Sequence, residues 1–334
     1  MHVESDQEVQ GHVEATVNAQ VSGYAGPYLS TAASATGASA TAGTCCAETT
    51  GSSLQTIQSG AVVAADAQTQ LSGSADSVSV DSSAVGSTTG WEQINGSVQS
   101  WTGQVNSGLT SASNSGHLGT VYGNTGLSSA AVANNVTGDI DTSSTDIGVG
   151  QETYGPATNA VVDVSIGSGA DIQGLASGVG NNVDVQAVAS DAGMNVTQRN
   201  DAPLNAYTDL DVANWSGDAS ATAYGVGNSV VLSNGGPSVA LWTDQASNGD
   251  VDVSAGFTGG AGGYAYTSAT AIGNAVSGYA CDTCGGAITA TNRQIGSARV
   301  QANSTTVMGR AQAVAADASA IGNSATYRVV GSGN

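Results

Sequence analysis

A short motif returns along this chain at nearly constant intervals, and a fixed period of this length implies stacked units rather than a globule. It reads small residue, any, Gly, Asn, any, Val. The clearest copies are Gly178-Val179-Gly180-Asn181-Asn182-Val183, Gly225-Val226-Gly227-Asn228-Ser229-Val230 and Ala271-Ile272-Gly273-Asn274-Ala275-Val276. Related copies are Ala131-Val132-Ala133-Asn134, Ala320-Ile321-Gly322-Asn323, Ala84-Val85-Gly86-Ser87 and Ala35-Thr36-Gly37-Ala38. With the third residue as marker, the positions are 37, 86, 133, 180, 227, 273 and 322, spaced by 49, 47, 47, 47, 46 and 49. Gln104, Gln151, Gln198 and Gln245 follow their markers at an offset of 18, and Gln58 and Gln294 at an offset of 21. Counted so, each Gln stands 28 or 29 before the next marker, and Gln7 stands 30 before the first. The length variation then falls between marker and Gln, in the two segments that carry cysteine.

Within the repeat the apolar residues alternate, as in Gly249, Val251, Val253 and Ala255, which is the strand period. Leu, Glu and Lys are scarce and Gly, Thr, Ser, Asn and Val dominate, which disfavours helix. The expected fold is all-β: a single continuous β-solenoid (β-helix) over residues 1–334, of seven repeats of ~47 residues. A solenoid coil of roughly 20–25 residues gives about two rungs per repeat. The marker glycine is expected at a tight corner, and the Asn after it in a stacked amide ladder. Gln58, Gln104, Gln151, Gln198, Gln245 and Gln294 should form one column, and Asn134, Asn181, Asn228, Asn274 and Asn323 another.

Composition supports a narrow structure held by backbone ladders. There are 47 Gly, one Phe and no Lys; charged residues are 9%, against about a quarter in ordinary domains. The net charge of −21 argues against nucleic acid as a partner, since phosphate binding needs Lys/Arg clusters. No run of about 18 apolar residues suggests membrane insertion. The polar start Met1-His2-Val3-Glu4 lacks the look of a signal peptide, so a mature exported form is expected.

Chemistry-bearing clusters are few. Lys is absent, the five Arg are scattered, and His2, His12 and His117 have no partners that suggest a triad, so a polysaccharide lyase is disfavoured and no cofactor is expected. Asp139/Asp141, Asp209/Asp211 and Asp250/Asp252 are D-x-D pairs whose carboxylates share a strand face, weak candidates for Ca²⁺ against a solvated face. Cys45 and Cys46 are adjacent, and Cys281 and Cys284 form a lone CxxC. They read as disulfides of an oxidising exterior, closing locally or between chains. Trp91, Trp101, Trp215 and Trp242 are candidates for stacking on sugars or for packing.

Asn195-Val196-Thr197-Gln198 and Trp242-Thr243-Asp244-Gln245 resemble curlin-type amyloid repeats. The long period, the A-x-A-x-G-N motif and the opening Gln7-Glu8-Val9-Gln10-Gly11-His12-Val13 more closely resemble the holdfast anchor protein D family of stalked alphaproteobacteria. That resemblance covers nearly the whole chain, although the cysteines and the missing Lys depart from it. It implies a cell-surface protein that helps tether an adhesive polysaccharide, with surface polysaccharide or other anchor proteins as partners. The alternative is a solenoid module that binds polysaccharide or Ca²⁺. Head-to-tail self-association is also expected: continued from Gly322 through Asn334 into Gln7 of a second copy, the marker-to-Gln offset is 19, close to the usual 18.

Overall fold

The computed structural model describes residues 1–281 and 286–330, without the side chains at 142, 143, 190 and 330. It is all-β, with parallel pairing throughout the strand ladders. The first strands are β1 (His2–Val9), β2 (His12–Val21), β3 (Leu29–Ile57), β4 (Val62–Ala75), β5 (Val78–Asn106) and β6 (Leu109–Val121). The middle ones are β7 (Asn124–Thr153), β8 (Thr158–Gly169), β9 (Asp171–Asn200), β10 (Leu204–Trp215), β11 (Asp218–Asn234) and β12 (Ser238–Ser247). The last are β13 (Val251–Ala261), β14 (Tyr264–Cys281), β15 (Ala287–Gly296), β16 (Val300–Arg310) and β17 (Ala313–Val330). One sheet stacks β1-β3-β5-β7-β9-β11-β14-β17, with β12 and β15 joined to it, and the other stacks β2-β4-β6-β8-β10-β13-β16.

Each strand residue that pairs does so with one 46–50 positions away, as Leu204 with Val251, Asp218 with Tyr264 and His12 with Val62. One repeat is therefore one coil of a solenoid-like stack, and the expected two rungs per repeat are corrected to one. A two-residue alternation sets which face a side chain takes but says nothing about how far the chain travels before it meets itself. Here the circuit is long because it is flattened. In the first full coil, residues 29–44 run outward, the chain reverses near Cys46, and residues 50–57 and 62–71 return in two pieces.

Two large apolar clusters fill most of the space between these layers. Ala84, Ala131, Val162, Leu204 and Val251 belong to the cluster that joins the start of the outward arm to the second return piece. Val136, Ile140, Val183, Ile147 and Val196 belong to the one that joins its end to the first return piece. Ala, Val and Ile suffice because the layers lie close, and each buried methylene contributes about 0.8 kcal/mol.

The marker residues sit between the two clusters. In every copy they drop out of the pairing: Val226 pairs with Ile272 and Asn228 with Asn274, while Gly227 and Gly273 are skipped. From Gly86 to Gly273 the marker and the following residue are both buried, so the in–out alternation resets there, in the manner of a stacked bulge. The expected corner is thus corrected. No marker glycine has a positive φ; from Gly37 to Gly273 they are Gly because a Cβ would strike the next coil. A Cβ on Gly227 would stand 2.6 Å from the Gly273 carbonyl oxygen, and one on Gly180 would stand 2.5 Å from that of Gly227. Positive φ occurs instead at Gly60 between the return pieces, at Cys46 and Asn95 where the outward arm reverses, and at Gly116 within β6.

Candidate functional site

The bulge and the return arm bring the two sequence markers face to face. Gln7, Gln55, Gln104, Gln151, Gln198, Gln245 and Gln294 stand in one column. Each later Nε2 donates to the preceding Gln Oε1, at 2.7–3.0 Å. The same amide group also donates across the coil, to the carbonyl two residues past a marker: Gln104 to Asn135, Gln151 to Asn182, Gln198 to Ser229. Asn134, Asn181, Asn228, Asn274 and Asn323 form a second column, with each Nδ2 donating forward to the next Asn Oδ1 at 2.7–2.9 Å. Their other donation goes to the carbonyl just after a Gln: Glu152, Arg199, Ala246 and Ile295. Marker and Gln keep their distance because each side chain closes on the backbone beside the other. The columns run with opposite polarity, Gln donating backward and Asn forward.

Gln58 does not belong to the column. It is exposed and donates its Nε2 to Glu8 at 2.8 Å. Gln55, which follows marker Gly37 at the same offset as its counterparts follow theirs, takes the place. The two extra residues of this repeat therefore lie after the Gln, in the turn at residues 58–61, which corresponds to the two-residue turn at 107–108. Cys45 and Cys46 consequently lie in a segment of ordinary length, not in a bulge. In the other long repeat the pairing offset grows from 46 to 49 between Cys281 and Ala287, so its three extra residues do fall beside the cysteines. We expect Gln55→Ala to cost about 1–3 kcal/mol, because Gln104 keeps a buried donor without its acceptor. Gln58→Ala should stay within about 0.5 kcal/mol, as at other surface positions. Urea midpoints of the two variants check this.

The Asn column begins at the third coil. Ser87 stands beneath Asn134, and Ser87 Oγ and Asn134 Oδ1 are both buried without a hydrogen-bond partner. One coil lower, Ala38 packs with Ile57 and Ala61 in an apolar cluster of its own. Ser87→Asn would offer Asn134 the donor it lacks. The expected gain is about 1 kcal/mol, read as a raised denaturation midpoint.

The remaining candidates are dispersed, and the D-x-D pairs differ from the chelating arrangement considered for them. Asp139 and Asp141 are exposed, with Glu92 beside Asp139 and Val188 beside Asp141. Asp209 accepts a 2.8 Å hydrogen bond from the Tyr207 hydroxyl, whose pKa is pushed up to about 12, first by burial and then by this carboxylate. Asp211, its partner in the D-x-D pair, is exposed and stands between Ser165 and Thr258 on the neighbouring strands, neither of them a carboxylate. In that pair Asp209 accepts from a hydroxyl and stands beside Asp163, while Asp211 lies on an exposed strand face. Asp250 and Asp252 face Arg299 at 3.5 and 3.7 Å, an ion pair in place of a cation site. Among the described residues no three His, Cys, Asp or Glu side chains converge as a metal site.

The adjacent Cys45 and Cys46 sulfurs lie together, and Cys281 occupies the same column five coils on. At about 4.8 Å per coil the two positions are ~24 Å apart within one chain, half the separation that two rungs per repeat implied. Cys284 lies outside the described residues. Of the tryptophans, Trp91 and Trp215 are buried, whereas Trp101 and Trp242 are 49% and 40% exposed. Their sequence parity relative to Gln104 and Gln245 already set the last two on the outer face.

A parallel, solenoid-like stack with amides bonded along its interior defines a structural repeat protein. The profile of the holdfast attachment protein D (HfaD) family matches residues 1–250, three quarters of the chain, and the chain belongs to that family. It is thus an adhesion protein of the holdfast attachment class, a class that suggests the cell surface. No curated protein and no solved structure matches it.

Proposed function

We propose that this chain is an extracellular adhesive anchor, a solenoid of seven coils that stacks head to tail and holds adhesive material at the cell surface. The observation that carries the stacking is the fit between the first and last described coils. Residues 313–330 lie one coil above residues 287–310 at one end, and residues 29–49 lie one coil above residues 2–21 at the other. The two steps are complementary. Docked together, they set Gln7 of a second copy on Gln294, Val13 on Val300 and Leu29 on Val314.

The side chains agree with this fit. Ala316, Ala318 and Ala320 are exposed although their partners one coil below, Thr267, Ala269 and Ala271, are at most 1% exposed. Val314 is 55% exposed in a column that is buried from Val78 to Ala265. Gln7 Nε2 spends one N–H on the Ser39 carbonyl and has a second for Gln294 Oε1, which keeps the backward polarity of the column. Open parallel strand edges recruit further strands, and a heterologous contact of this kind propagates as a fibre.

Light scattering and electron microscopy of the purified protein over a concentration series test the reading. Wild type should lengthen into filaments, and Val314→Asp should stay as folded single particles, because a carboxylate would be buried at each junction. Wild type that remains single at every concentration would refute the stacking, as would filaments undiminished in Val314→Asp.

A further inference from the structure

The outer face of the first return piece carries both exposed tryptophans. Trp101, Gly148, Asn195 and Trp242 follow one another in a single outward column across β5, β7, β9 and β12. The two rings are three coils apart, ~14 Å at about 4.8 Å per coil. Trp101 extends along its own strand over Gly103 and reaches sideways to Gly148. A Cβ built on Gly103 would meet its Cη2 at 2.4 Å, and one on Gly148 would meet its Cδ1 at 3.0 Å. Glycine at both positions lets the indole settle onto the backbone. Gly103 is buried beneath it while the ring stays half exposed, so its other face is offered to solvent. Thr50, Gln99, Asp146 and Asn195 surround the ring in a shallow depression. Around Trp242 the neighbours are Asn195 and Thr291, with Asp244 held by Arg293 at 3.0 Å.

An exposed flat ring bordered by amides, hydroxyls and a carboxylate suits a ligand with one apolar and one hydroxylated aspect. Pyranose sugars have both: their axial C–H groups meet the negative face of an aromatic ring, and their hydroxyls reach polar side chains at its rim. The charge of −21, and the pairing of the nearby Arg293 with Asp244, oppose a polyanionic chain. We propose that Trp101 and Trp242 are the two contact points of a binding strip for an uncharged polysaccharide, which runs along the stacking axis across the strands. Gly148 leaves the path between the rings open, and Asn195 supplies an amide midway. The strip rests on the adhesive reading above but needs no stacking of copies, since both rings belong to one chain.

Cellohexaose titrated into the intact protein, with tryptophan fluorescence and calorimetry as readouts, tests the strip. Cellohexaose should bind and perturb the exposed indoles, and cellobiose, too short to span both rings, should bind at least about tenfold more weakly. Trp101→Ala and Trp242→Ala should each weaken cellohexaose by about tenfold, with circular dichroism unchanged. A galacturonate hexamer should not bind. Absence of cellohexaose binding, equal affinity for cellobiose, or unaltered binding in Trp242→Ala would each overturn the strip. Filament growth of both variants, followed by light scattering, separates the two ideas: stacking without glycan binding removes the strip alone, and glycan binding without stacking removes the filament alone.

Discussion

Gln198→Glu is expected to destabilise the stack by about 3–5 kcal/mol at neutral pH, the range for an uncompensated charge in a protein interior. Gln198 is 1% exposed. Its Nε2 faces two acceptors, Gln151 Oε1 at 2.8 Å and the Ser229 carbonyl at 2.9 Å, and its Oε1 accepts from Gln245 at 2.7 Å. A carboxylate sets an anionic oxygen against both acceptors and keeps only the Gln245 bond. Burial and these oxygens raise the folded-state pKa of the new Glu above its unfolded value of about 4.3. The unfolded chain therefore loses its proton first. The penalty is small below the unfolded pKa, grows as pH rises between the two values, and is constant above the folded one. Gln198→Leu lacks the charge and should show a pH-independent loss of about 1–3 kcal/mol from the donor and acceptor left unpaired. Urea unfolding of both variants at pH 4 and pH 8 tests this. Equal midpoint shifts for Glu at the two pH values would show that the column interior is not dry.

The second large effect is expected at the markers. Gly227→Leu should cost more than about 3 kcal/mol, since overpacking that moves backbone is among the few causes of losses this large. A Cβ there meets the Gly273 carbonyl oxygen at 2.6 Å and the Ser247 hydroxyl at 2.8 Å, before any further side-chain atom is placed. Ala133 occupies the same column and is buried, so a methyl group is tolerated and the larger residue is the informative one. Gly150→Leu is the control, because a Cβ there meets nothing within 4 Å. Thermal unfolding should separate the two by many degrees; similar midpoints would mean that adjacent coils slide apart at the bulge without cost.

Much of this architecture is legible in the residues. The period, the strand alternation and the Asn positions locate the repeat unit and one amide column without coordinates. The circumference is not legible, because alternation is local and a single repeat divides into two short circuits or one long one with the same pattern. Gln58 is misread for a related reason: with Gln55 three residues away, distance to the next marker is a poor ruler when the inserted residues sit in the intervening turn. The marker glycine is misread because Gly-Asn is also turn chemistry. Only the close approach of one coil to the next shows that it serves packing. The exposed pair of tryptophans is within reach of parity counting. The glycines that seat Trp101 are not, since Gly148 adjoins it only through the stack.

Because pairing continues around almost the whole circuit of each coil, the way tension enters the protein decides how it yields. A pull delivered through an entire coil face, as from a docked copy, loads the backbone bonds of that circuit side by side, and they must fail together. The same pull delivered at a chain end opens the outermost coil one residue at a time, each bond meeting the force alone. An anchor of this build resists detachment when it is gripped broadly and peels when it is gripped at a tip.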